Sequence, residues 1–380
     1  MRRAVLLGAI ALGMVSAPAR AQTSVYSVLG VGFPGRGISV RARGMGGGFS
    51  AFDPWSAVNP AAVAFQSQLG ATFSSQTAFR RYTAAGVNVS GLRSTRFPLI
   101  MFAGPVPRTP LNFALGVVGY ADRTFDVQTQ DTLLLRGDSV AAVTRIRSDG
   151  GIIEVRGAAA LNVSPTVKLG LALHAFSGST METIGRAFDN SLYATTLQSG
   201  DAAYTAWGLS AGAIVTPRPW LHLAASVRRD GRLHVTDNVL PDAAVRLPWT
   251  ITAGAHVRFA AGLRWSATGA WRSWADAASA GALPGGASAF DTWEVGTGVE
   301  LSGAGASLSR FPVRLGVRYA QLPFSPTAEQ PHEVDLAAGG GVIFAAGHGL
   351  FDLSLERVSR NGGDASEHAW QISMQLTVRP

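Results

Sequence analysis

Between residues 370 and 378 the chain alternates without a miss: Trp370, Ile372, Met374, Leu376 and Val378 are apolar, while Gln371, Ser373, Gln375 and Thr377 are polar. A β-strand points successive side chains to opposite faces, so a period of two gives each face one kind of chemistry. The same pattern recurs along most of the chain after residue 65. Val167, Leu169, Leu171 and Leu173 stand against Lys168 and His174, and Val313, Leu315, Val317 and Tyr319 stand against Arg314 and Arg318. Charges return at strand centres on one face only, which describes a wall between hydrocarbon and water.

The beginning of the chain points to export. Arg2 and Arg3 precede an apolar run over residues 4–15, and Ala19-Arg20-Ala21 fits a small-x-small cleavage site, which predicts a mature protein starting at Gln22. The run is shorter than the roughly 20 residues a spanning helix needs. The chain has no cysteine, so it offers neither a lipid-anchored cysteine nor a disulfide framework. Loss of Arg2, Arg3 and Arg20 would lower the formal charge from +8 to +5. Lys168 is the only lysine, and the arginines are scattered singly at strand spacing, which argues against nucleic acid as a partner. After the leader, the nearest approach to an apolar helix is residues 336–347, too short and too rich in glycine. An exported, helix-poor, alternating chain belongs in the outer membrane of a Gram-negative-type bacterium, because only closed barrels otherwise satisfy every backbone group within a bilayer.

Fourteen strand candidates follow residue 66, at 69–79, 95–104, 111–127, 150–163, 166–182, 202–215, 219–235, 246–258, 260–275, 290–302, 311–322, 332–345, 348–358 and 367–379. An even count suits a single-chain barrel. Ser164-Pro165, Ala346-Gly347 and residues 361–364 supply turns, and the stretches 128–149, 183–201, 276–289 and 322–331 read as long surface loops. Trp220, Trp249, Trp293 and Trp370 fall near strand ends, where interfacial girdles form. The alternative, a soluble β-sandwich, would turn its apolar face inward. The expected fold is all-β: a closed antiparallel transmembrane β-barrel of about fourteen strands, with a signal peptide at 1–21, an amino-terminal segment at 22–65 and the barrel at 66–380.

Residues 22–65 do not alternate. They contain Arg43-Gly44-Met45-Gly46-Gly47-Gly48-Phe49 and then Asp53-Pro54-Trp55-Ser56-Ala57-Val58-Asn59-Pro60-Ala61. These residues resemble the amino-terminal hatch of the FadL/TodX family of outer-membrane hydrophobic-compound transporters, and the Ser24-Val25-Tyr26-Ser27 opening resembles a Bacteroidetes-like, PorV-related branch. The resemblance implies a lumen blocked by the hatch, a hydrophobic ligand captured outside, and release through a lateral opening in the wall. It places Arg43, Gly44, Met45, Gly46, Gly47, Asn59, Pro60 and Ala61 on the hatch or ligand path. It implies outer-membrane lipid and a hydrophobic small molecule, fatty-acid-like or aromatic, as partners, and no cofactor. Two other readings of the same barrel are a scaffold or shuttle for a secretion machine, with secretion-machinery proteins as partners, and a diffusion porin.

The inward charges read as a structural network: Arg156, Arg228, Arg258, Arg264, Arg272, Arg314 and Arg318 would pair with Glu154, Glu294, Glu300, Glu333, Asp335, Asp352 and Glu356, since buried charges need partners. Enzyme motifs are weak. Gly208-Leu209-Ser210-Ala211-Gly212 satisfies G-x-S-x-G but lies within an alternating strand, where a nucleophile elbow has no place. Gly30, Gly32 and Gly35 lack the strand and helix of a dinucleotide site, and the seven histidines show no zinc spacing. The expectation is a transport protein that is not an enzyme and holds no metal.

Overall fold

The computed structural model describes residues 24–84, 87–238, 242–259, 262–278, 288–302 and 311–380. The expected signal peptide lies outside them. Fourteen strands form the wall: β1 Gly70–Ala84, β2 Val87–Pro105, β3 Leu111–Asp122, β4 Asp138–Asn162, β5 Val167–Phe188, β6 Thr196–Arg218, β7 Leu221–Asp230, β8 Trp249–Arg258, β9 Leu263–Arg272, β10 Thr292–Leu301, β11 Val313–Gln321, β12 His332–Phe344, β13 Gly349–Gly362 and β14 Ala365–Val378. Each pairs antiparallel with the next, and β14 returns to β1 with Val378 opposite Ala71 and Ala365 opposite Ala84. Closure removes the sheet edge. Every expected strand is present, because the alternation that marks each one is the requirement of a wall with two unlike sides.

The faces are inverted relative to a soluble protein. Leu173 and Leu315 are 69% and 57% exposed on the outside, whereas Arg314 and Glu356 are 2% and 0% exposed within. A sandwich would show the opposite. Along β14 the outward apolar band runs from Trp370 to Val378. At about 3.4 Å per residue these eight steps cover about 27 Å, close to the roughly 25 Å apolar band of an outer-membrane barrel.

The wall is uneven in height. β11 has nine residues and β4 has twenty-five. The excess of β4, β5 and β6 rises above the rim, and the strand Phe125–Leu135 folds back on β4 as a ribbon, with Leu135 opposite Asp138. Residues 128–149, expected to be loop, are therefore strand. Their turn is Arg136-Gly137, with φ of 53° and 93°; a two-residue hairpin turn of this kind normally announces itself with Asn or Asp, and arginine conceals it. Likewise β5 and β6 absorb most of the expected loop 183–201. In the stretch 322–331, Phe324–Ser325 pairs with Ser288–Ala289. Within the expected loop 276–289, residues 279–287 lie outside the described ones.

One seam is incomplete. β2 and β3 are paired only from Leu99 opposite Val118 down to Pro105 opposite Asn112. Above that level β2 keeps β1 as its partner, while the upper end of β3 turns inward and pairs with Phe33–Pro34, Phe33 facing Asp122 and Pro34 facing Ala121. Pro98 stands on β2 where the pairing stops, and it has no N–H to offer a neighbour.

Candidate functional site

Residues 24–66 pack against the inward faces of the wall. Three short turns of helix organise them, each begun by a side chain that accepts from the orphaned amides of its first turn. Ser24 caps Val25–Val28, Ser39 caps α1 (Val40–Gly44) by accepting from the Ala42 amide at 3.0 Å, and Asn59 caps Pro60–Phe65 by accepting from the Ala61 amide at 3.0 Å. Pro60 opens its helical turn, where a missing N–H costs nothing.

Contact with the wall is backbone to backbone. A Cβ added to Gly316 of β11 would lie 2.1 Å from the Met45 carbonyl carbon, and one on Gly296 of β10 would lie 2.1 Å from the Gly46 oxygen. Gly46 itself has φ +60°, a conformation only glycine adopts freely, and its own Cβ would meet the Val317 backbone. Gly44 faces Gly339 of β12 in the same way. On the opposite wall, Gly170 of β5 makes room for Pro60 and Ala61, and Gly212 of β6 for the Asn59 amide oxygen. The expected residues Gly44, Met45, Gly46, Asn59, Pro60 and Ala61 therefore all lie on one surface that crosses the lumen, and Gly47 joins it through its amide, which donates to the Ala42 oxygen at 2.8 Å. The wall glycines were not singled out from the sequence, although glycine within an alternating strand is the signal of close backbone approach.

Charge fixes the same segment. Arg43 donates to Glu356 of β13 at 3.3 Å and to the Arg36 carbonyl at 3.0 Å. Burial draws the Arg43 pKa down to about 10 against the pull of Glu356, which leaves it cationic at neutral pH. Arg36 reaches Asp335 at 2.9 Å and Glu356 at 3.1 Å, and Arg41 grips Glu300 through two bonds of 2.8 and 2.7 Å. Arg36 and Arg41 escaped the sequence reading because nothing local distinguishes them from other scattered arginines.

Most of the expected wall network is present. Arg314 joins Glu300 and Asp352 at 2.7 and 2.6 Å; Arg318 joins Glu294, Glu333 and Asp335; Arg228 joins Glu154 and Asp230 at 2.8 and 2.7 Å; Arg264 and Arg272 reach Glu300 and Glu294. Two expected members differ. Arg156 donates to the Ala57 carbonyl of the amino-terminal segment. Arg258, at the lower end of β8, is exposed and has no ion pair among the described residues, because the strand ends there in solvent.

The lumen is not polar throughout, as the alternation had suggested. At its upper end Leu29, Val31, Ile152, Phe176, Tyr204, Leu233, Leu247, Trp274 and Phe324 form one buried apolar cluster. Below and beside it lies a cavity of about 500 Å³, bordered by Val31–Ile38, by the charged rows of the wall, and by Phe97, Pro98, Gly119 and Tyr120 at the incomplete seam. The cavity thus extends from the apolar mouth to the break between β2 and β3.

The G-x-S-x-G serine has partners in the lumen. His174 has Nδ1 2.6 Å from Glu154 and Nε2 3.0 Å from the Ser210 hydroxyl, so β4, β5 and β6 are tied by a chain with the order of a hydrolase triad. Ser210 and His174 are 2% and 0% exposed, however, and neither borders the cavity. Ser210 sits mid-strand with its neighbouring amides spent in the sheet ladder, where they cannot converge on an oxyanion. The chain satisfies buried polar groups. Among the described residues no cluster of side chains could hold a metal ion.

No protein-family model matches the chain, and neither does any curated protein. Solved structures do. The Ralstonia pickettii toluene transporter TbuX superposes with a TM-score of 0.60 at 16% identity over 90% of this chain and 98% of that one. A Pseudomonas aeruginosa FadL homologue gives 0.63 at 15% over 91% and 99%, and the P. putida toluene transporter TodX gives 0.58 at 13% over 92% and 99%. The fold is FadL-type. At these identities the likeness speaks for architecture, and with the inverted faces it places the FadL-type barrel in an outer membrane. The neighbours are transport channels. They lend no support to the PorV-related branch or to secretion-machinery partners.

Proposed function

We propose that this FadL-type barrel admits hydrophobic small molecules, aromatic hydrocarbons or fatty-acid-like compounds, by passive uptake across the outer membrane. Residues 22–65 act as the hatch, with Arg43, Gly44, Met45, Gly46, Gly47, Asn59, Pro60 and Ala61 holding it against the wall. The observation that carries this reading is the continuity of the upper apolar cluster, the cavity and the break between β2 and β3. An apolar solute leaves water at the cluster, because burying its surface is favourable at about 25 cal/mol per Å². It then passes residues 31–38 and leaves sideways beside Pro98 and Gly119, skirting the charged rows that border the cavity. The neighbouring toluene transporters TbuX and TodX and the monoaromatic hydrocarbon channel CymD agree with a ligand of this class.

Uptake of radiolabelled toluene and of a fatty acid by cells carrying or lacking the protein tests the proposal, with a disaccharide as control. Faster entry of the hydrophobic probes alone supports it. Faster entry of the sugar would make the barrel a diffusion porin instead.

A further inference from the structure

On the outer surface, near the upper ends of β13, β14, β1 and β2, four outward-facing residues stand in one row across neighbouring strands: Arg357, Trp370, Phe79 and Arg93. Trp370 lies opposite both Arg357 and Phe79, and Phe79 lies opposite Arg93. The Arg357 guanidinium sits 5.3 Å from the Trp370 ring centre, and that of Arg93 sits 5.6 Å from Phe79. One step higher, Arg81 faces His368. The row marks the top of the apolar band, since the outward residues below it on β14 are all apolar. It therefore lies at the depth of the lipid head groups, on the side of the long extensions of β4, β5 and β6, which is the extracellular side of an outer-membrane barrel.

These arginines differ from those of the lumen in what balances them. Arg314, Arg318 and Arg360 each bond two or more carboxylates. Arg81, Arg93 and Arg357 have no carboxylate within ion-pair distance among the described residues. Like charges on neighbouring strands repel. The aromatic faces hold two of the guanidinium groups at the wall by cation–π attraction, which leaves their N–H donors turned toward a partner from outside. At this depth the available anions are lipid phosphates, whose oxygens match the guanidinium fork.

We propose that Arg81, Arg93 and Arg357, with Trp370 and Phe79 beneath them, form a docking site for the phosphorylated glycolipid of the outer leaflet, the phosphate seated among the guanidinium groups and an acyl chain on the aromatic pair. Three positive charges on a surface of four strands suit a head group that carries more than one phosphate on a rigid sugar. The site is independent of any solute passing through the lumen.

Native mass spectrometry of the detergent-purified protein, titrated with lipid A, dephosphorylated lipid A and phosphatidylglycerol, tests this. Lipid A should be retained at least about tenfold better than its dephosphorylated form, a modest demand for three arginines at a membrane surface. The triple variant R81Q/R93Q/R357Q should lose that preference while remaining heat-modifiable on gels, and R81K/R93K/R357K should regain part of it. Equal retention of the dephosphorylated lipid, or undiminished preference in the folded triple variant, overturns the site. Phosphatidylglycerol held as tightly as lipid A overturns the glycolipid assignment. If the glutamine variant does not fold, the comparison of the three lipids on the natural protein decides.

Discussion

Gly316 of β11 and Met45 touch through their backbones, so closely that a methyl group on Gly316 would stand 2.1 Å from the Met45 carbonyl carbon. The neighbouring strand leaves no more room, since a Cβ on Gly298 would lie 2.5 Å from the Met45 oxygen. Replacing Gly316 by valine should therefore lift the segment off the wall, at a cost of about 1–3 kcal/mol by analogy with overpacked cores. The expected outcome is a barrel that still forms but shows raised ion conductance in planar bilayers and faster proteolysis within residues 24–66. Unchanged conductance and proteolysis would mean that the contact does not seat the segment.

Arg43 and Arg36 share Glu356. Because Arg36 remains when Arg43 is removed, Arg43→Ala should cost about 1–3 kcal/mol, the penalty of an incompletely satisfied buried group, and less than breaking an isolated buried pair. Glu356→Gln should cost more, since it leaves the buried Arg43 and the half-buried Arg36 both short of an acceptor charge. The double variant should lose less than the sum, as residues in one network do. Thermal unfolding of the four proteins checks this; additive losses would dissolve the proposed network.

Trp274 packs edge-to-face on Phe324 at 5.2 Å between ring centres and borders the cavity. Aromatic pairs of this kind contribute about 0.5–1.5 kcal/mol beyond area burial. Trp274→Ala should weaken toluene binding severalfold, measured by fluorescence competition, with the far-ultraviolet spectrum unchanged. Equal affinity would remove the upper cluster from the ligand path.

Ser210 is hydrogen-bonded like a nucleophile and placed like a structural residue. The natural protein should resist fluorophosphonate labelling, and Ser210→Ala should keep full uptake while lowering thermal stability by about 1 kcal/mol, a typical net hydrogen-bond contribution. Stoichiometric labelling at Ser210 would contradict the structural reading.

The wall was legible in the sequence because a membrane barrel writes its two environments into every second residue. The strand from Trp370 to Val378 could be read from nine letters. The ribbon at 125–149 could not, since its outer strand is mostly exposed above the rim and the face that Val140, Ala142 and Thr144 bury is small and mixed in polarity. The charge network was legible as a mixture of signs on inward positions, although Arg156 went to the Ala57 carbonyl, a partner defined only by how the amino-terminal segment crosses the lumen. The break at Pro98 was hidden for the same reason: β3 leaves β2 where Phe33–Pro34 takes its upper end, and a pairing between segments as far apart as Phe33 and Asp122 leaves no local mark.

On the proposed route, hydrophobic solutes leave through that break. A Cβ on Gly119 would lie 4.0 Å from the Pro98 Cα, close enough for a disulfide, and the chain has no other cysteine to interfere. Uptake of labelled toluene by cells carrying P98C/G119C is the direct measurement. Uptake should be abolished under oxidation and restored by dithiothreitol; an oxidised, fully cross-linked barrel that transports as well as the natural protein would rule out exit through the break.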